Sequence, residues 1–201
     1  KHHKVVGKCI IPAALIIDNL STQICCSNFV HFKHLVFHRP LKLKYSARLV
    51  KYKNTLEGKD STNKTIFQLK TSDNFQKKQT LSKSLFSVKR LHSLKRLSLK
   101  TFYTTLERCG LEYGNCFKSV CEVYVTDNKA IIRSVVDKKY GIFLNYVALD
   151  AVFQTVCFLE AQKLVQNEII LPHIVEDFVC IKNSSSSFWI EVCFNKSNKS
   201  Y

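Results

Sequence analysis

Several things are scarce in this chain, and each scarcity narrows the reading. No apolar run reaches the length and purity of a membrane-spanning helix. The N-terminal KHHKVVGK is followed by only a short apolar run and then Asp18, which is not the pattern of a secretory signal. A soluble, cytoplasmic protein is expected. The nine cysteines (Cys9, Cys25, Cys26, Cys109, Cys116, Cys121, Cys157, Cys180 and Cys193) include no C-x-x-C pair matched by a second pair or a His pair. Neither a disulfide framework nor a zinc site is indicated, and reduced, mostly buried thiols are expected.

Acidic residues are also few, 15 against 31 Lys and Arg, for a formal net charge of +16. Such a surplus suits nucleic acid, an anionic membrane face or an acidic protein partner. Much of it is local, between Lys70 and Lys100, in a polar stretch spotted with leucines. That region reads as a connector. No nucleic-acid-binding motif accompanies it, so a nucleic-acid partner is not expected.

What is present, in 201 residues with 46% hydrophobic content, is enough for one packed domain or two small packed halves. The most distinctive stretch is Val147 to Val165, VALDAVFQTVCFLEAQKLV, a nearly unbroken apolar run with one acid near its front. A helix apolar on all sides is buried on all sides, and at i and i+4 Asp150 and Gln154 share a face. Asp150 is either a cap for free backbone N–H groups or a carboxyl held for chemistry at the edge of an apolar interior. A second anomaly opens the chain. His3, Gly7 and Pro12 stand in HKVVGKCIIP, which reads as a strand, a Gly turn and a helix start, with Pro12 suited to the first helical turn.

From Phe29 to Lys44 the pattern suggests strands broken at Pro40. Residues 45–52 and 65–70 suggest further strands, with a polar hairpin at Glu57 to Asn63. His31 and His34 point to opposite faces of such a strand, and no metal site is expected there. Residues 101–109 suggest a helix closed by Gly110. A hairpin follows in FKSVCEVYV and AIIRSVV, and strands are expected again at 168–182 and 187–194, so the second half repeats strands around one apolar helix.

Taken in order, four segments resemble the dehydratase domains of polyketide synthases and of the related animal-type fatty acid synthase. HKVVGKCIIP is similar to that family's H-x-x-x-G-x-x-x-x-P, GLEYGNCF to G-x-x-Y-G-P-x-F, LDAVFQ to L-D-x-x-x-Q, and Leu171-Pro172 to the start of an L-P segment. The resemblance implies an α+β double hotdog: two curved antiparallel sheets, each wrapping a central helix. Residues 1–75 would form the half carrying the His motif, 76–100 a basic connector, and 101–201 the half carrying the Asp motif. The family has further strand sequence ahead of its His motif, so the chain is expected to be a piece of a longer polypeptide.

By the same resemblance, His3 would be the catalytic base and Asp150 the acid. Tyr113 and Gln154 would support the acid, and Gly7 would bring backbone close to the substrate, where an N–H at the positive end of the first helix could polarise the thioester carbonyl. Pro12, Gly114, Leu171 and Pro172 would be structural parts of the motifs. The sequence departs from the pattern at Asn115 for Pro, at Asn145-Tyr146 for His-Pro, and at His2 for Asp. The implied reaction removes water from a 3-hydroxyacyl thioester carried on the phosphopantetheine of an acyl carrier protein, with no metal or cofactor bound by the domain itself. The implied partners are the carrier protein and other synthase domains, with pairing of two copies left open. Two rivals share the fold: a product-template cyclase, and a double hotdog that only packs within a megasynthase.

Overall fold

The computed structural model describes residues 3–24, 29–42, 48–52, 55–70, 91, 94–127, 129–136, 145–162, 170–181 and 185–193. His2 and most of the basic stretch, 71–90, lie outside the described residues. The chain opens with a hairpin of β1 (His3–Val5) and β2 (Lys8–Cys9), turned through Val6 and Gly7 with φ of 47° and 70°. Helix α1 (Ala13–Ile24) follows, and the Pro12 carbonyl accepts from the N–H groups of Leu15 and Ile16, so proline stands at the cap just ahead of the helix.

Four strands come next: β3 (Phe29–Phe37), β4 (Arg48–Lys51), β5 (Thr55–Lys59) and β6 (Thr65–Lys70). Glu57 to Lys59, expected in a hairpin turn, are strand residues; the turn sits at Asp60 to Lys64, where the Asp60 carboxylate accepts from the backbone N–H of Thr62 and Lys64. Alternation is the reason. Leu56 and Gly58 face inward, and Glu57 accepts from Gln68 on β6 at 3.0 Å.

The second half begins earlier than expected. Lys95–Leu97 form β7, and α2 (Leu99–Arg108) starts from Ser98, whose hydroxyl accepts from the Thr101 N–H. Residues 95–100, assigned to the connector, are therefore strand and helix. β8 (Leu111–Tyr113), a 3-10 turn at Asn115–Phe117, β9 (Val120–Val125) and β10 (Lys129–Val135) follow. Helix α3 (Tyr146–Ala161) covers most of the apolar run, and β11 (Ile174–Ile181) and β12 (Ser187–Cys193) come last.

The described residues form three antiparallel sheets. Five strands run in the order β11-β3-β6-β5-β4, four in the order β12-β10-β9-β7, and three in the order β2-β1-β8. The first encloses a core of Ile17, Leu20, Phe32, Leu35, Ile66 and Leu69 with α1. The second encloses Phe102, Leu106, Val123, Ile132 and Phe158 with α2 and α3. Strand β11 does not join the sheet of its own half: it pairs with β3, Phe178 opposite Phe32. Burial explains the exchange, since the rings of Phe32 and Phe178 stack at 5.6 Å over the first core. In the other direction, β1 pairs with β8, His3 opposite Tyr113. The two halves are thus stitched by two strand pairings that cross between them.

On β5, a Cβ added at Gly58 would lie 2.2 Å from the ring of Phe67, itself only 3% exposed. Gly58→Ala should lower stability by about 1–3 kcal/mol, the usual cost of overpacking, as read by urea unfolding.

Candidate active site

Helix α3 begins at the cap Asn145, whose side-chain oxygen accepts from the Val147 N–H at 3.2 Å. Asp150 is five residues further on, past the first turn, and only 3% exposed. The capping explanation for this acid therefore fails, because Asn145 already fills that role. Asn145 replaces a family residue without loss of the helix start.

Opposite the carboxyl stands His3 on β1, 9% exposed, with its Nε2 3.8 Å from Asp150 Oδ1. That separation is too long for a direct hydrogen bond. Both groups line one cleft of about 640 Å³ together with Val5, Leu111, Tyr113, Phe153, Leu171 and Pro172. Residues from the two ends of the sequence therefore meet at a single cavity. Exposed Lys8 and Lys42 stand at its rim.

Gln154 holds the acid. Its Nε2 donates to Asp150 Oδ2 at 2.8 Å and to the Phe117 carbonyl at 3.0 Å. Tyr113 packs its ring edge-on against the imidazole, centroids 5.2 Å apart, and Phe117 does the same at 5.5 Å. Burial raises the Tyr113 hydroxyl well above its ordinary pKa, so it stays protonated. Gly114 caps the 3-10 turn with extended backbone, and Asn115 opens that turn where a proline would also fit.

Gly7 is placed differently from expectation. It is exposed in the β1–β2 turn, and its N–H donates to Glu112 Oε1 at 3.1 Å. An N–H committed to a carboxylate does not face the cleft, and the left-handed turn explains the glycine instead. Phe117 closes the GLEYGNCF segment, but the sequence reading gave it no role, because its contact to Gln154 is through the backbone carbonyl.

Desolvation sets the charge state of the pair. Burial pushes Asp150 up to about 7, against a smaller lowering by the Gln154 hydrogen bond. Burial likewise pushes His3 down to about 4. Between those values the site holds a neutral imidazole beside a protonated carboxyl, and not an ion pair. Elsewhere, His31 meets Asp177 at 2.6 Å and His34 meets Glu176 at 3.3 Å, so each takes a separate carboxylate. Among the described residues no group of three or more His, Cys, Asp or Glu could hold a metal ion, and no helix is long and apolar enough to cross a membrane.

An acid and an imidazole thus face one apolar cleft between two sheet-and-helix halves. Residues 88–199 match the model of the polyketide synthase dehydratase N-terminal domain, and the chain belongs to that family. Its members are enzymes that remove water, a lyase reaction. Among solved structures, the dehydratase domain of RzxB from Pseudomonas fluorescens is 16% identical with a TM-score of 0.77, over 99% of this chain and 79% of that one. The dehydratase domain from the CurJ module of curacin polyketide synthase is 14% identical with a TM-score of 0.75, over 99% and 76%. An inactive CurK dehydratase variant with Asp replaced by Asn is 13% identical with a TM-score of 0.72, over 97% and 77%. These likenesses establish the double-hotdog fold. No match is found among curated protein sequences.

The two pKa shifts have opposite consequences for stability. A raised Asp150 means the folded state keeps a proton that the unfolded chain releases above about 4, so its contribution is lost as pH rises toward 7. A lowered His3 contributes stability above 6.5 that is lost as pH falls toward 4. The two slopes offset in the parent chain. His3→Phe removes one of them, so its stability should fall by about 1 kcal/mol per pH unit between roughly pH 4 and 7, while the parent stays flatter. Urea unfolding across that range checks the difference.

Proposed function

We propose that this domain dehydrates a 3-hydroxyacyl thioester to the enoyl thioester, with His3 as base and Asp150 as acid. The observation that carries this reading is the placement of the two groups, 3.8 Å apart and both buried at one cleft. His3 Nε2, uncharged above about pH 4, takes the proton from the carbon next to the thioester carbonyl. Asp150, protonated below about pH 7, gives its proton to the 3-hydroxyl. The C–H pair becomes the double bond, the C–O bond breaks, and water leaves. An imidazolium and a carboxylate remain side by side, and passing one proton between them resets the site. The step itself calls for neither a metal nor a diffusible cofactor.

The substrate in this reading rides on the phosphopantetheine arm of an acyl carrier protein, and other synthase domains supply and remove it. Carrier proteins are acidic, and a chain of net charge +16 with Lys8 and Lys42 at the cleft rim suits electrostatic steering of such a partner. The inactive Asp-to-Asn variant of the CurK dehydratase lends support to an acid of this type.

The test uses a 3-hydroxyacyl carrier protein and intact mass, reading loss of one water. Asp150→Asn and His3→Phe should each slow the reaction by about 10²–10⁴-fold, the range spanned by general acid–base catalysis, with the fold retained. The parent rate should fall as pH rises through about 7 and as it drops through about 4. Turnover by Asp150→Asn equal to the parent's would remove this carboxyl from its role.

A further inference from the structure

We propose that Phe117 is a positioning residue that ties the base and the acid together, its ring lying against His3 while its carbonyl holds the amide that holds Asp150. This rests on the reading of His3 and Asp150 as the proton-transfer pair. Four contacts converge on this one residue. Its ring meets the His3 imidazole edge-on, with centroids 5.5 Å apart and planes at 67°. Its carbonyl accepts from Gln154 Nε2 at 3.0 Å, the same nitrogen that donates to Asp150 Oδ2 at 2.8 Å. Its ring also packs at 6.1 Å against Tyr146, the first residue of α3. Its N–H donates to the Gly114 carbonyl at 2.9 Å, which closes the 3-10 turn.

The geometry assigns a specific job to each part. Gln154 is wholly buried on α3 and must be aimed, because an amide free to rotate could turn its oxygen toward the carboxyl. The Phe117 carbonyl fixes the NH₂ end by giving it a second acceptor. The ring sets where that carbonyl points, since it packs against both His3 and Tyr146. It also keeps water from one edge of the imidazole, which maintains the uncharged form that a base needs. A half-buried aromatic on a three-residue turn thereby couples strand β1 to helix α3 across the cleft.

Phe117→Leu keeps the carbonyl and removes the ring. Three readings are expected together. The His3 ring protons, followed by NMR in the folded chain, should titrate upward from about 4 by roughly one unit as water reaches the ring. The acid limb of the pH–rate profile should move with them. The value of kcat should fall about tenfold with KM changed less than about twofold, the pattern of lost alignment without lost binding. Phe117→Tyr, which restores an aromatic ring, should return all three toward the parent. If Phe117→Leu does not fold, Phe117→Met is read in its place.

A His3 titration and acid limb identical to the parent's in the Leu or Met variant overturn the proposal, as does a Tyr variant no better than Leu. Failure of the parent to release water would defeat the dehydratase reading instead. The NMR titration of His3 decides the role of Phe117 in either case.

Discussion

The structure depends on keeping water away from one carboxyl. An ionised Asp in an apolar interior is costly, and among the described residues no Lys or Arg pairs with Asp150 to offset the cost; the group beside it is an imidazole that burial keeps uncharged. The cheaper state is a protonated acid. Helix α3 creates that environment because it is shared by both cores: Leu149 and Phe153 pack toward the first, while Ala151, Phe158 and Leu159 belong to the second. A helix on the surface of a single core would leave its polar face to solvent. This one has no such face, and its acid is enclosed between the halves.

Two crossing strand pairings maintain the enclosure. β1 lies on β8 and brings His3 opposite Tyr113, while β11 lies on β3 and leads out of the Leu171-Pro172 segment that lines the cleft. Separation of the halves would open the cleft and rehydrate both groups, and their pKa values would return toward the ordinary range. Stability of the fold and readiness of the site are therefore linked through the same buried surface. The departures from the family pattern at Asn115 and Asn145 leave this intact, since one opens a turn and the other caps α3.

Much of this was legible in the sequence, for identifiable reasons. The apolar circumference of α3 marked burial, and β-rich composition marked β6, β9 and β10, the last two with a polar turn between them. The pairing of His3 with Asp150 came through motif resemblance, because no local pattern states which distant residues meet. Partner choice among strands was not legible for the same reason: nothing in IVEDFVCI says that it pairs with β3 rather than with its sequence neighbours. β7 was hidden in a run of lysines, where charge masked a three-residue strand. A glycine needed for a left-handed turn, as Gly7 is, looks the same in sequence as one that approaches a substrate. Phe117 stands in one of the quoted segments, but its carbonyl contact to Gln154 is made by the main chain, which side-chain patterns do not reveal.

The charge state of the pair also explains how one site can serve as both acid and base near neutral pH. Each group is held in its uncharged form, and the proposed step would briefly create the ion pair that the resting site avoids. Isotope-edited infrared spectroscopy on protein labelled at aspartate carboxyls tests this most directly. The account predicts, at pH 6, a protonated-carboxyl band that is absent from Asp150→Asn and fades as pH rises past about 7. No such band in the parent at pH 6 would mean that Asp150 is ionised at rest, and the account would be wrong.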